Sequence, residues 1–296
     1  MRMKMKNIVL SICALLVFPL LVGPAVATGP WSYLRQLPDN DSGVRLDLAS
    51  SLSIDTNKQR YYLVDARGGQ LVSFDKNGKF LSAFNAGGEL KTPVSLTRTT
   101  SGILWVADRY DNKLLYIDPR QQKVQRFDLK YPDGKQILPA KIDLDAENRL
   151  FVLDQRRGAI LQLDDNLNVM HSYQGTAAFK GFVDFKIKGE TLWALDGLSS
   201  SVYRFAIGSA ALEAVQLSGL KFPVSLEIDS AGQFYVLDRH AGIVVVFGPN
   251  GEKRFDFLGK GKRNGQLWFA KELIFDWEEK LCVVDEGNNR VDILTR

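Results

Sequence analysis

The sequence predicts an all-β fold: a six-bladed β-propeller of four-stranded antiparallel blades, its ring closed by an N-terminal strand. Three observations carry that expectation. A segment made of an aromatic residue, two small or branched apolar residues and an aspartate recurs at 62–65, 105–108, 151–154, 193–196, 235–238 and 282–285, with Cys282 the one departure from the aromatic. Its aspartates, Asp65, Asp108, Asp154, Asp196, Asp238 and Asp285, are 43, 46, 42, 42 and 47 residues apart, a period that belongs to propeller blades. Around each copy run short apolar stretches, four to a unit, separated by turns rich in Gly, Asn and Asp. Helical periodicity is absent beyond residue 27.

Taken from the N-terminus, the first element stands outside the propeller. Arg2, Lys4 and Lys6 precede an apolar run over 8–22, and Ala25, Val26 and Ala27 follow ahead of Thr28. A basic head, an apolar middle and a small-residue cleavage site are the order of a secretory signal peptide, so residues 1–27 are expected to be removed after Ala27. Pro19, Gly23 and Pro24 break the run, which falls short of the ~20 apolar residues of a membrane-spanning helix. The expectation is an exported protein, periplasmic or extracellular, that touches a membrane only through this segment before cleavage. Loss of 1–27 removes three cations and no acid, which lowers the formal charge from +4 to +1 and argues against a nucleic-acid partner. Cys13 leaves with the segment and Cys282 stays alone, so no intrachain disulfide is available. The single domain expected over 28–296 is therefore held by its core, for which it has ample length.

Residues 31–37 form an apolar-polar stretch with no neighbour in sequence to pair with. The second copy shows the plan of the blades: an inner strand over 95–99, a turn at Ser101 and Gly102, a second strand over 104–108, a polar turn over 109–113 and a third strand over 114–118. Outer strands are expected at 79–84, 123–129, 169–173, 212–217 and 254–258. The sixth copy stops at Arg296, directly after its third strand over 290–294. Residues 31–37 supply the missing outer strand, which closes the ring and covers edges that invite aggregation.

The sixth copy, with Asp285, Asn289, Arg290 and Val291, and the second, with Asp108, Asn112 and Lys113, resemble the NHL-repeat β-propellers. The other copies keep the aspartate and the apolar strands but lose the Asn and basic pair. The resemblance spans about residues 45–296. It implies the fold and leaves function open, since that repeat serves binding proteins and enzymes alike.

An aspartate that ends an apolar strand accepts hydrogen bonds from the N–H groups of the turn it begins, so the six aspartates read as turn formers before they read as a metal ring. The aromatics Tyr62, Trp105, Phe151, Trp193 and Tyr235 are expected to fill the wedges between blades. Aligning the inner strands places Ser51, Ser95, Lys141, Asp184, Ser225 and Glu272 at one level of the central channel. The next level holds Ser53, Thr97, Asp143, Lys186, Glu227 and Ile274. That mixture reads as a wet, ion-paired channel without a cofactor. The alternative is a Ca²⁺ or other divalent-cation site with oxygen ligands from Asp143, Asp184, Glu227 and Glu272, serving a hydrolase, lactonase or lyase at the channel mouth; Lys141 and Lys186 oppose it. Catalytic propellers that this sequence resembles imply histidines, or a carboxylate and amide cage, near that mouth. Here His171 falls on an outer strand and only His240 on a turn, too few for a three-histidine zinc site. No nucleophile elbow is present, and Cys282 has no histidine near it in sequence.

The turns after the aspartates emerge on one face and carry Arg67, Arg109, Tyr110, Arg156, Arg157, Arg239 and His240, with Arg290 close by. Arginine among aromatics suits an anionic or planar partner. The expected function is a non-enzymatic binding module whose partner is another exported protein or an anionic glycan. The Gly- and Lys-bearing stretch over 258–267 lacks the spacing of a P-loop and reads as a long flexible connection into the sixth blade.

Overall fold

A computed structural model describes residues 30–296 apart from 177–178 and 210–211. The signal peptide expected over 1–27 lies outside the described residues. Six four-stranded antiparallel sheets follow one another around the ring. Five are consecutive stretches of chain, at 49–84, 93–127, 139–173, 182–216 and 223–257. The sixth takes its three inner strands from 272–295 and its outer strand from Ser32–Leu37. In that closure Ser32 lies opposite Thr295 and Leu37 opposite Val291. Each aspartate motif ends the second strand of its blade, as the repeat predicts. Outer strands end a residue or two from their expected limits, at Phe80–Phe84, Lys123–Phe127, Leu212–Gln216 and Lys253–Phe257.

The core is divided among the blade junctions, because each sheet is apolar on both faces and buries them against its two neighbours. Six clusters of buried side chains result, one per junction. Between the first and second blades, for example, Val64 and Leu71 meet Leu96, Leu104 and Val106. Phe151 and Tyr235 sit inside such clusters, and Tyr62, Trp105 and Trp193 pack against their margins. Trp31 anchors the closing strand from the adjoining turn. Its ring lies 5.9 Å from Phe257 and 6.0 Å from Phe275, stacked on both, and 5.9 Å from Tyr235 edge-on.

The six aspartates fasten each blade to the loop that enters it. Asp108 is fully buried and accepts the N–H groups of Lys91 at 2.8 Å, Thr92 at 3.0 Å and Tyr110 at 2.9 Å. Asp238 accepts those of Lys221, Phe222, His240 and Ala241 at 2.6 to 3.3 Å. One carboxylate thus ties the incoming loop to the outgoing turn. The connection over 258–267, expected to be flexible, is tied down instead. Arg290 is buried and donates to the carbonyls of Lys262, Arg263 and Gln266 at 3.3, 2.8 and 3.0 Å, so its guanidinium serves the loop and not the face.

Candidate functional site: a cation-bearing channel mouth

The mouth is built by two local features repeated around the ring. The first is a β-bulge at the start of the inner strand. In five blades the pairing register slips by one residue, between Ala49 and Ser51, Pro93 and Ser95, Pro139 and Lys141, Phe182 and Asp184, and Pro223 and Ser225. A bulge turns consecutive side chains toward one side of a strand. Ser50, Val94, Ala140, Val183 and Val224 therefore face the mouth together with the channel residues that follow them. In the sixth blade the same place is taken by Lys271, whose N–H donates to the Val284 carbonyl at 2.8 Å. The second feature is the residue directly after the repeat aspartate, which contributes Arg109, Gln155, Arg239 and Glu286. With Phe182 and Phe222 these residues enclose a cavity of about 570 Å³.

Below the mouth the channel narrows to a throat in which charge is matched by charge. The Lys141 ammonium donates to Asp184 and, at 2.9 Å, to Glu272 Oε1. Asp184 also accepts the Ser225 hydroxyl at 2.6 Å and the Leu226 N–H at 2.9 Å, and Glu272 accepts the Leu52 N–H at 3.1 Å. One level down, Glu227 accepts from Lys188 at 2.8 Å and lies 3.5 Å from Lys186, which donates to the Leu273 carbonyl at 2.7 Å. Burial opposes the charges of Lys141, Glu227 and Glu272. The lysines overcome it at Glu272 and pull its carboxyl down to about 2, and the paired carboxylates hold the Lys141 ammonium above the usual lysine range. Asp143, in a second cavity of about 230 Å³ beneath, is held up by burial against the opposing pull of Lys141.

The mouth lacks this matching. Arg239 pairs with Glu286 at 2.6 Å and its guanidinium lies 5.6 Å from the Phe269 ring. Arg109 and Lys271 have no ion-pair partner among the described residues. Burial holds the Lys271 ammonium below its usual range, and Arg109 and Arg239 add to that effect against the pull of Glu286 and Glu272. Around the opening, Val183, Phe222 and Phe269 are each about half exposed, and Tyr110 and Leu198 stand out on their turns.

Of the residues that the sequence singles out, the structure brings Arg109 and Arg239 to the mouth together. Arg67, Tyr110, Arg156 and His240 occupy the next position of their turns, exposed and outside the cavity lining. Arg157 turns aside, 3.6 Å from the Tyr131 ring and 3.2 Å from Asp133. The four carboxylates named for a metal do not converge: Lys141 stands between Asp184 and Glu272, Glu227 is engaged by Lys186 and Lys188, and Asp143 lies in the lower cavity. Among the described residues no group of three or more His, Cys, Asp and Glu is placed to hold a metal ion. Lys271 and Phe222 are the functional candidates that sequence reasoning misses. Strict alternation puts Lys271 on the face opposite Glu272, and the bulge position that the other five blades share is the signal that corrects it.

The chain is thus a six-bladed β-propeller with an open, cation-bearing mouth at one end of a charge-paired channel. It is similar in fold to a virginiamycin B lyase from Staphylococcus aureus, at 13% identity over 90% of this chain and 99% of that one, with a TM-score of 0.65. A gluconolactonase from Xanthomonas campestris matches at 12% identity over 91% and 98%, TM-score 0.64. An auxiliary nutrient binding protein from Bacteroides thetaiotaomicron matches at 13% over 90% and 72%, TM-score 0.64. No protein-family model and no curated protein matches the sequence. At these identities the likeness is one of fold.

Proposed function

We propose that this chain is an exported NHL-type propeller that binds, without catalysis, an anionic group presented by a glycan or by another exported protein at the channel mouth. The observation that carries the reading is the pair of cations, Arg109 and Lys271, that face a cavity of about 570 Å³ with no ion-pair partner among the described residues. A carboxylate arriving there gains two charge-assisted contacts, and the half-exposed Val183 and Phe222 offer apolar surface to the body that carries it. The nutrient-binding neighbour has the same fold. The histidines support the same side. One solved form of the staphylococcal lyase is described as catalytically inactive through replacement of a histidine by alanine, whereas His171 and His240 of this chain lie outside the mouth.

The rival is a divalent-cation-dependent hydrolase, lactonase or lyase, two of the fold neighbours being a lyase and a gluconolactonase. Against it stands Lys141, whose ammonium takes the place between Asp184 and Glu272 that a cation would need. Thermal unfolding separates the two. Short oligouronides at a hundred times their dissociation constant should stabilise the protein by about 2.7 kcal/mol, and Arg109→Ala with Lys271→Ala should abolish the gain. Stabilisation by calcium that a chelator reverses, with no response to uronides, would favour the enzyme and overturn the binding reading.

A further inference from the structure

A second site, independent of the mouth, lies between the first and second blades at the other end of the molecule. We propose that this groove docks an extended acidic peptide segment bearing one bulky apolar side chain. The groove encloses about 500 Å³. Its charged lining is Lys58, Arg60, Arg98 and Arg120, with no carboxylate among the lining residues. Only Arg98 is neutralised, by Asp55 at 2.7 Å; Lys58, Arg60 and Arg120 are exposed and have no ion-pair partner among the described residues. Between these cations the wall is apolar, with Leu81 40% and Phe84 37% exposed. Both belong to Phe80–Phe84, the outer strand of the first blade, whose far edge pairs with no other strand. An edge strand offers backbone groups to a peptide that lies along it, while pockets beside it select side chains.

The fold supplies a comparison, because a groove at the third and fourth blades shares part of this lining by position and extends from there to Trp105 of the second blade. There Glu147 takes the place of Lys58, Gly208 that of Arg120, Met170 that of Leu81 and His171 that of Ser82. That copy, of about 480 Å³, is lined by Glu147, Asp164 and Asp165. Its one arginine, Arg149, is already engaged by Asp145, by Glu147 at 3.2 Å and by Glu190 at 3.4 Å. Corresponding positions of the fold thus carry a net acidic groove in one place and a cationic one in the other. The unpaired cations of the first groove suit an acidic partner, whose opposite charge supplies both orientation and rate. Leu81 and Phe84 favour a peptide over a polysaccharide polyanion, which has no apolar side chain to place there.

The test uses fluorescence anisotropy with the purified protein and a short labelled peptide of glutamates around one phenylalanine. Binding is expected, and Arg60→Glu with Arg120→Glu should weaken it by about tenfold or more. Replacing the peptide's phenylalanine by serine should weaken it as well. The exposed charge changes should leave the melting temperature within a few degrees, which circular dichroism checks. The proposal is overturned if the peptide does not bind, if the double variant binds as tightly as the parent, if the phenylalanine makes no difference, or if a sulfated glycan competes at lower concentration than the peptide itself.

Discussion

Lys271 and Glu272 are neighbours in sequence and belong to different chemistries. Glu272 joins the throat, where Lys141, Asp184 and a backbone N–H complete its contacts. Lys271 joins the mouth, one bulge position higher, where the other five blades place Ser50, Val94, Ala140, Val183 and Val224 and where no carboxylate comes within ion-pairing distance of it among the described residues. A buried charge whose partners come from neighbouring blades is part of the fold. A charge that the fold leaves unmatched, in a cavity open to solvent, is available to a ligand. The same split appears around the repeat aspartates: Asp108 is buried and fully engaged, while Arg109, the very next residue, is exposed at the mouth.

A structural throat should fail when its shared cation is removed. Lys141→Met leaves Asp184 and Glu272 buried without their shared cation, and removal of one member of a buried ionic cluster costs about 3–5 kcal/mol. Urea unfolding should show that loss, and a change under 1 kcal/mol would make Lys141 a candidate binding residue. Asp108→Ala comes next. It strands the N–H groups of Lys91, Thr92 and Tyr110, and unpaired buried donors cost about 1–3 kcal/mol; Arg109→Ala, one residue on, should stay within about 0.5 kcal/mol. Equal losses at the two positions would dissolve the distinction between framework and face. Acid offers a further handle on the throat. The folded value of Glu272, about 2, lies below its ordinary 4.5, so its contribution is fully present above pH 4.5 and disappears as the pH falls toward 2. Stability of the parent should therefore decline over that interval more steeply than that of Glu272→Gln.

Much of this was legible in the sequence, and for physical reasons. The period, the closing strand and the channel levels follow from apolar alternation and from an aspartate whose hydrogen-bonding role is the same in every copy. The site was only half legible. Arg109 and Arg239 are visible because they follow the motif directly, but Arg67, Arg156 and His240 look equivalent to them until the turn geometry sends the next position away from the cavity. Arg290 matches the repeat pattern and reads as a face residue, yet it is buried against three carbonyls of the preceding loop. Lys271 was hidden because it occupies the place that is bulged in the other five blades, where an inserted residue reverses the inside and outside assignment that alternation gives.

The smallest effect is the sharpest probe of the comparison. Because the folded protein holds the Lys271 ammonium below its ordinary pKa of 10.5, the charged form costs stability at neutral pH, and that cost vanishes only above the ordinary value. Lys271→Met, which matches the apolar residues at four of the five other bulge positions, should therefore leave stability unchanged or raise it by up to about 1 kcal/mol. Guanidinium unfolding at pH 7 and again near pH 10.5 would reveal it, with the gain over the parent shrinking at the higher pH. A framework residue behaves in the opposite way: its removal destabilises at every pH where its partners are charged. If Lys271→Met weakens the fold at neutral pH, the mouth contains a structural cation and the unmatched charge there ceases to mark a ligand.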